Sequence, residues 1–211
     1  SDFDPDRMLQ MIQQEGVKEI VIVGDVFAKP LVKALDAAQA RGEPYDLSSL
    51  RVVHSTGVMW SAQSKKAFLD HADTMIMDTM GSSEGSMGTS MITRATIDQN
   101  PTGKFNRLET TRVITDDGRD VEPGSGEIGL VYNGGMVPLG YYKDEKKSAA
   151  TFKEVDGKRY SIPGDYATID TDGKIVLLGR GSICINSGGE KIFPEEVEEA
   201  LKTHDSVYDC L

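Results

Sequence analysis

Cysteine is almost missing from this chain: Cys184 and Cys210 are the only two in 211 residues. They lie far apart and form no C-x-x-C, which argues against a disulfide framework and a cysteine-based zinc site and fits a reducing cytoplasm. Long apolar runs are missing too. Nothing approaches the roughly 20 residues that cross a bilayer, so no transmembrane segment is expected, and the first residues lack the charged-then-apolar profile of a signal peptide. Positive charge is scarce and scattered: 23 Lys and Arg face 34 Asp and Glu, for a net charge of -11. Without a concentrated basic face, nucleic acid and acidic lipid surfaces are poor partners.

What is present reads as an ordinary globular protein, 38% hydrophobic and 27% charged, with enough apolar residues for a real core in one large or two small domains. The chain opens on Ser1-Asp2-Phe3-Asp4-Pro5 and closes on the apolar run Val207-Tyr208-Asp209-Cys210-Leu211. Lacking an initiator methionine and ending inside that run, it is expected to be an internal piece of a longer protein.

Helical and strand signals alternate through the first 80 residues. A helix is predicted near Arg7 to Glu15, a strand at Lys18 to Gly24, a helix from about Lys29 to Arg41, and a strand around Leu50 to Val53. Ser61 is a plausible N-cap for a helix to about His71, and Thr74 to Met77 is the next strand. This part reads as α/β with mostly parallel strands, whose ligands sit at the strand C-terminal ends. Beyond Gly88 the runs become short and β-branched: Arg107 to Thr115, Glu127 to Tyr132, Asp165 to Ile169 and Lys174 to Leu178. Asp116-Asp117-Gly118 and Thr171-Asp172-Gly173 mark turns, the latter closing a hairpin. From Ile183 a short strand leads through Gly188-Gly189 to Phe193-Pro194, which opens a helix to about Thr203.

Gly81-Ser82-Ser83-Glu84-Gly85 satisfies G-x-S-x-G, the pattern that lifts a nucleophilic serine in α/β-hydrolases. The elbow needs a helix at once after the serine, and Gly85-Ser86-Met87-Gly88 is a poor helix start. A triad also needs a later histidine, and His204 is the only one after Ser83; a role at an exposed helix end suits it better. The same loop has a second chemistry, since hydroxyls and amides beside one carboxylate suit a magnesium-nucleotide site.

Gly164-Asp165, Gly179-Arg180 and Ser187-Gly188-Gly189-Glu190-Lys191-Ile192-Phe193-Pro194-Glu195-Glu196 follow that loop in order. Together these segments resemble the acyl- and aryl-adenylating enzymes: acyl-CoA synthetases, nonribosomal adenylation domains and beetle luciferases. His54-Ser55-Thr56-Gly57-Val58-Met59 is similar to the family's loop beside adenine, with Thr56 and Val58 where small residues are usual. Met80-Gly81-Ser82-Ser83-Glu84 resembles the aromatic-Gly-x-Thr-Glu motif, with Met80 for the aromatic residue and Ser83 for threonine. Gly126-Glu127-Ile128 and Gly140-Tyr141-Tyr142 match a segment whose role is taken as structural. Asp165 matches the aspartate that accepts from the ribose hydroxyls, and Arg180 the arginine on the same ribose. Ser182 stands at the hinge, where Asp or Lys is usual.

The resemblance implies a fold with part of an α/β subdomain at 1–90, a β-rich distorted barrel at 91–180, and the hinge and start of a small α+β domain at 181–211. It implies Mg2+, ATP and CoA as cofactor and substrates, with Glu84 as catalytic metal ligand. Gly57, Val58, Asp78, Met80, Gly81, Ser83, Asp165 and Arg180 would bind the nucleotide, and Gly188 and Gly189 would line the CoA tunnel. A carboxylic acid would be adenylated and passed to the CoA thiol. Met75, Met77, Met80, Met87 and Met91 would line an adaptable acyl pocket or belong to the core, and the expected acid is fatty or bulky and apolar. The family's glycine-rich phosphate loop ending in lysine is not found before His54, nor its Gly-Lys segment near the end. The 211 residues alone are therefore expected to be inactive, which keeps open a nucleotide-binding or interaction module.

Overall fold

Asp4 and Pro5 start the first helix, as their chemistry dictates: the Asp4 carboxylate accepts the Arg7 N–H at 3.0 Å, and Gly16, at φ +61°, ends α1 (Pro5–Glu15). The computed structural model describes residues 3–99, 102–181, 184–187, 190–202, 204, 206–207 and 210. They fall into two units, Ser1–Met80 with Thr89–Thr102, and Gly81–Gly88 with Gly103–Leu211.

In the first unit α1 is followed by β1 (Glu19–Ile22), α2 (Gly24–Ala40), β2 (Val52–Thr56), α3 (Ala62–His71) and β3 (Met75–Ser82). The three strands are parallel, with Ile20 opposite Val53 and Val53 opposite Ile76. These residues point with Ile22 into a core shared with Leu9, Leu31, Leu35, Trp60 and Phe68. The other face of β1 carries Glu19 and Val21, and Val21 is 70% exposed. Ser61 caps α3 as expected, accepting the Ser64 N–H at 3.4 Å. Helix α2 begins five residues before the expected Lys29 in spite of Pro30. Proline lacks an N–H and disfavours helix at the residue before it. Here the first turn is tied down from outside, by the Gly24 N–H on Ser55 Oγ and the Asp25 N–H on the Met59 carbonyl, both at 3.3 Å.

After the two-residue turn Ser83-Glu84 comes a strand, β4 (Gly85–Ile92), and later a short 3-10 turn at Ile97–Gln99. A strand and not a helix begins directly after the Ser83-Glu84 turn, so the hydrolase elbow is not built.

The second unit adds β5 (Lys104–Arg107), β6 (Thr111–Ile114), β7 (Gly129–Asn133), α4 (Glu145–Thr151), β8 (Phe152–Val155), β9 (Lys158–Ser161), β10 (Asp165–Ile169), β11 (Ile175–Arg180), β12 (Ile185–Ser187), β13 (Glu190–Ile192) and α5 (Pro194–Lys202). Its sheet runs β5-β11-β10-β7-β9-β8, with β6 added to β7. The unit is β-rich as expected, but the strand path is linear and the sheet does not close into a barrel. Thr171-Asp172-Gly173 closes the β10–β11 hairpin, with Ile169 opposite Ile175. The expected run from Arg107 to Thr115 divides into β5 and β6, while the β8–β9 hairpin, turned at Asp156-Gly157, was not legible as two strands.

Candidate functional site

Glu84 stands in the tight turn after β3 and is held at both ends by the second unit. Its backbone carbonyl accepts Asn133 Nδ2 at 3.4 Å and Ser161 Oγ at 3.3 Å, from β7 and β9. Both side chains are buried, and a polar group so placed is costly unless partnered. Gly85 is obligatory here: its φ is +142°, and a Cβ would lie 2.1 Å from Asn133 Nδ2. At the other end the Tyr141 hydroxyl donates to Glu84 Oε1, while the Glu84 N–H donates to Ser82 Oγ at 3.3 Å. Burial pushes the Glu84 carboxyl upward. Hydrogen bonds from Ser82, Tyr141 and its own backbone, together with the charge of Arg180, outweigh that and hold it below the ordinary carboxylate range. For Tyr141, burial and the bonded carboxylate both raise the phenol. The result is an anionic carboxylate fixed in place.

Asp165 and Arg180 are paired across the open end of the β10–β11 hairpin, with Arg180 Nε donating to Asp165 Oδ1 at 3.2 Å. Asp165 is buried, whereas the Arg180 side chain is half exposed. Gly164, at φ +100°, and the bulge between Tyr166 and Ala167 turn the chain at this point. Glu84, Asp165 and Arg180 therefore share one unit, as do Gly81 and the exposed Ser83.

Gly57, Val58, Asp78 and Met80 belong to the first unit. Gly57, at φ +89°, and exposed Val58 lie in the loop after β2, where ligands of parallel sheets bind. That loop is anchored by Asp25, whose Oδ1 accepts the Ser61 N–H at 3.2 Å, Ser61 Oγ at 3.1 Å and Ser64 Oγ at 2.5 Å. Trp60 Nε1 completes the network on Ser64 Oγ at 2.7 Å. The Asp78 carboxylate is buried and held by Lys65 Nζ at 2.5 Å. Met80 and Met87 are buried, Met75 and Met77 half-buried, and Met91 is exposed. Ser182, Gly188 and Gly189 lie outside the described residues.

Sequence reasoning missed Asn133, Ser161, Lys65 and Asp25, and gave Tyr141 only a structural part. The contacts that place them, Lys65 on Asp78, Asp25 on Ser61, and Tyr141, Asn133 and Ser161 on Glu84, span 13 to 77 residues, beyond any local pattern.

The profile of the AMP-binding enzyme family matches residues 1–142, and the chain belongs to that family. It is 48% identical, over its whole length, to a medium/long-chain-fatty-acid–CoA/3-oxocholest-4-en-26-oate–CoA ligase of Mycolicibacterium smegmatis. It is 46% identical to a 3-oxocholest-4-en-26-oate–CoA ligase of Rhodococcus rhodochrous. In both cases it spans 38% of the relative's length. Among solved structures, the amide bond synthetase McbA from Marinactinospora thermotolerans matches 99% of this chain with 40% of its own, at TM-score 0.78 and 22% identity, which speaks for the fold.

Proposed function

We propose that this chain is part of an AMP-forming acyl-CoA ligase that activates a fatty or bulky apolar carboxylic acid with Mg-ATP and transfers it to CoA. The observation that carries the reading is Glu84, a carboxylate held ionised in a rigid turn within the same unit as the Asp165–Arg180 pair. Matches along the whole of this chain to two relatives named as CoA ligases support it.

In this reading the substrate carboxylate attacks the α-phosphate of ATP, pyrophosphate leaves, and a CoA thiol displaces AMP from the acyl-adenylate. Glu84 would hold magnesium, which supplies neutralising charge at the phosphates. A single carboxylate fits that ion, since magnesium keeps waters and phosphate oxygens as its other ligands; no cluster of three metal-binding side chains occurs among the described residues. Asp165 accepts from the ribose hydroxyls and Arg180 steadies the same sugar. Gly57, Val58, Asp78 and Met80 serve the adenine side, Gly81 and Ser83 the phosphates, Ser182 the hinge, and Gly188 and Gly189 the pantetheine path. The divisions 1–90, 91–180 and 181–211 belong to the same reading; parallel α/β units, antiparallel hairpins and the β12–β13 pair with α5 succeed one another along the chain in its support. Cys184 and Cys210 are in no disulfide, which accords with work in the cytoplasm.

Carboxylate-dependent exchange of labelled pyrophosphate into ATP tests the reading, in a polypeptide of the relatives' length carrying this chain. Fatty and steroid acids are expected to support exchange, and Glu84→Gln to lower it on the order of 10²-fold. The 211-residue segment made alone is expected to show none. Exchange insensitive to Glu84→Gln would sink the assignment.

A further inference from the structure

Tyr141 lies 57 residues beyond Glu84, yet its hydroxyl meets the Glu84 carboxylate, and the rest of Tyr141 is held in place. Its backbone N–H donates to Ser148 Oγ at 2.8 Å, its ring packs against Phe152 at a centroid separation of 5.3 Å, and the Lys147 ammonium stands 4.4 Å over its face. A Cβ on the preceding Gly140 would come within 2.9 Å of Ser148 Oγ, so the segment has little room to shift. A phenol gives one hydrogen bond, whereas a carboxylate offers two oxygens and about four lone-pair sites. A donor on Oε1 therefore fixes the plane of the group and leaves acceptor capacity for a cation.

We infer that Tyr141 is a positioning residue for Glu84: its hydroxyl, bonded to Oε1, holds the carboxylate in the one orientation that meets the magnesium triphosphate. This rests on the reading of Glu84 as the magnesium ligand. Ligating carboxylates ordinarily depend on such supporting bonds, and losing one weakens metal binding about 10- to 100-fold. A filler role is distinguishable, because Tyr141→Phe keeps the ring contacts with Phe152 and Lys147 and removes only the hydroxyl.

The test uses Tyr141→Phe, Glu84→Gln and the double variant in a polypeptide of the relatives' length. Mn2+ binding is followed by electron paramagnetic resonance with a non-hydrolysable ATP analogue, beside the magnesium dependence of pyrophosphate exchange. Tyr141→Phe is expected to raise half-saturating Mn2+ about tenfold and to move the magnesium dependence of exchange in the same direction, while the melting temperature stays near the parent's. Added to Glu84→Gln, it should do nothing more. If Tyr141→Phe leaves Mn2+ binding unchanged while Glu84→Gln abolishes it, the inference is overturned and the reading of Glu84 stands. If Glu84→Gln also leaves it unchanged, both fall. Should Tyr141→Phe not fold, Ser148→Ala, which frees the Tyr141 N–H, must shift Mn2+ binding in the same direction, or the inference fails.

Discussion

A lysine 1% exposed is unusual among side chains, and Lys65 is tolerated in the core because its ammonium meets the Asp78 carboxylate at 2.5 Å. Breaking such a pair from one side leaves the other charge buried and uncompensated, which costs about 3–5 kcal/mol. Lys65→Met is therefore expected to destabilise the protein by that amount in urea denaturation. Lys65→Met with Asp78→Leu, which removes both charges, should recover much of the loss. The same pair bears on Asp78 as a nucleotide contact. Were its carboxylate needed only to satisfy Lys65, the double variant would bind ATP as the parent does; weakened ATP binding would give Asp78 a direct part. Each charge in this pair looked unremarkable in the sequence, because nothing local announces that Lys65 on α3 and Asp78 on β3 face each other.

The turn between β3 and β4 shows how an element can be dictated by glycine and then completed by distant strands. Ser83-Glu84 is followed by Gly85 at φ +142°, a region that side chains avoid. Asn133 of β7 fills the space a Cβ would need. Gly85→Ala is expected to displace Asn133 and release the Glu84 carbonyl, costing about 1–3 kcal/mol of stability. Pyrophosphate exchange should fall more than that loss explains, since the displaced group is the carboxylate's own backbone. Exchange falling only in proportion to the folded fraction would mean that the turn does not orient Glu84. At this scale the sequence was partly readable. Ser61 announced its helix and Asp172-Gly173 its hairpin through chemistry confined to a few residues. The start of α2 at Gly24 was not readable, because the partners of its first turn, Ser55 and Met59, come from another segment.

Over the whole chain, acidic residues outnumber basic ones and several are held ionised by cations in the second unit. Asp172 sits at about 2, chiefly through its hydrogen bond from the Lys174 side chain, against opposing burial and with help from the Lys174 backbone and Lys104. Asp170 is lowered as well, first by its hydrogen bond from Lys104. A depressed carboxylate contributes stability above its unfolded pKa, near 4, and loses that contribution as pH falls through its folded value. The melting temperature is thus expected to be level near neutrality and to fall between about pH 4 and pH 2. Lys104→Met, which unhooks Asp170 and removes the lesser of the two lysines on Asp172, should make that fall smaller. An identical acid limb in the variant would assign it to other carboxylates.

By itself the sequence determined the α/β-then-β order, the main turns and caps, and the series of motifs that resembles adenylating enzymes, because each depends on residues within a short span. Only the tertiary structure decided that the β-rich sheet stays open and that a strand follows Ser83. It alone placed Tyr141, Asn133 and Ser161 around Glu84. Those outcomes rest on hydrogen bonds and burial between segments up to 77 residues apart, where packing rather than local propensity selects the partner.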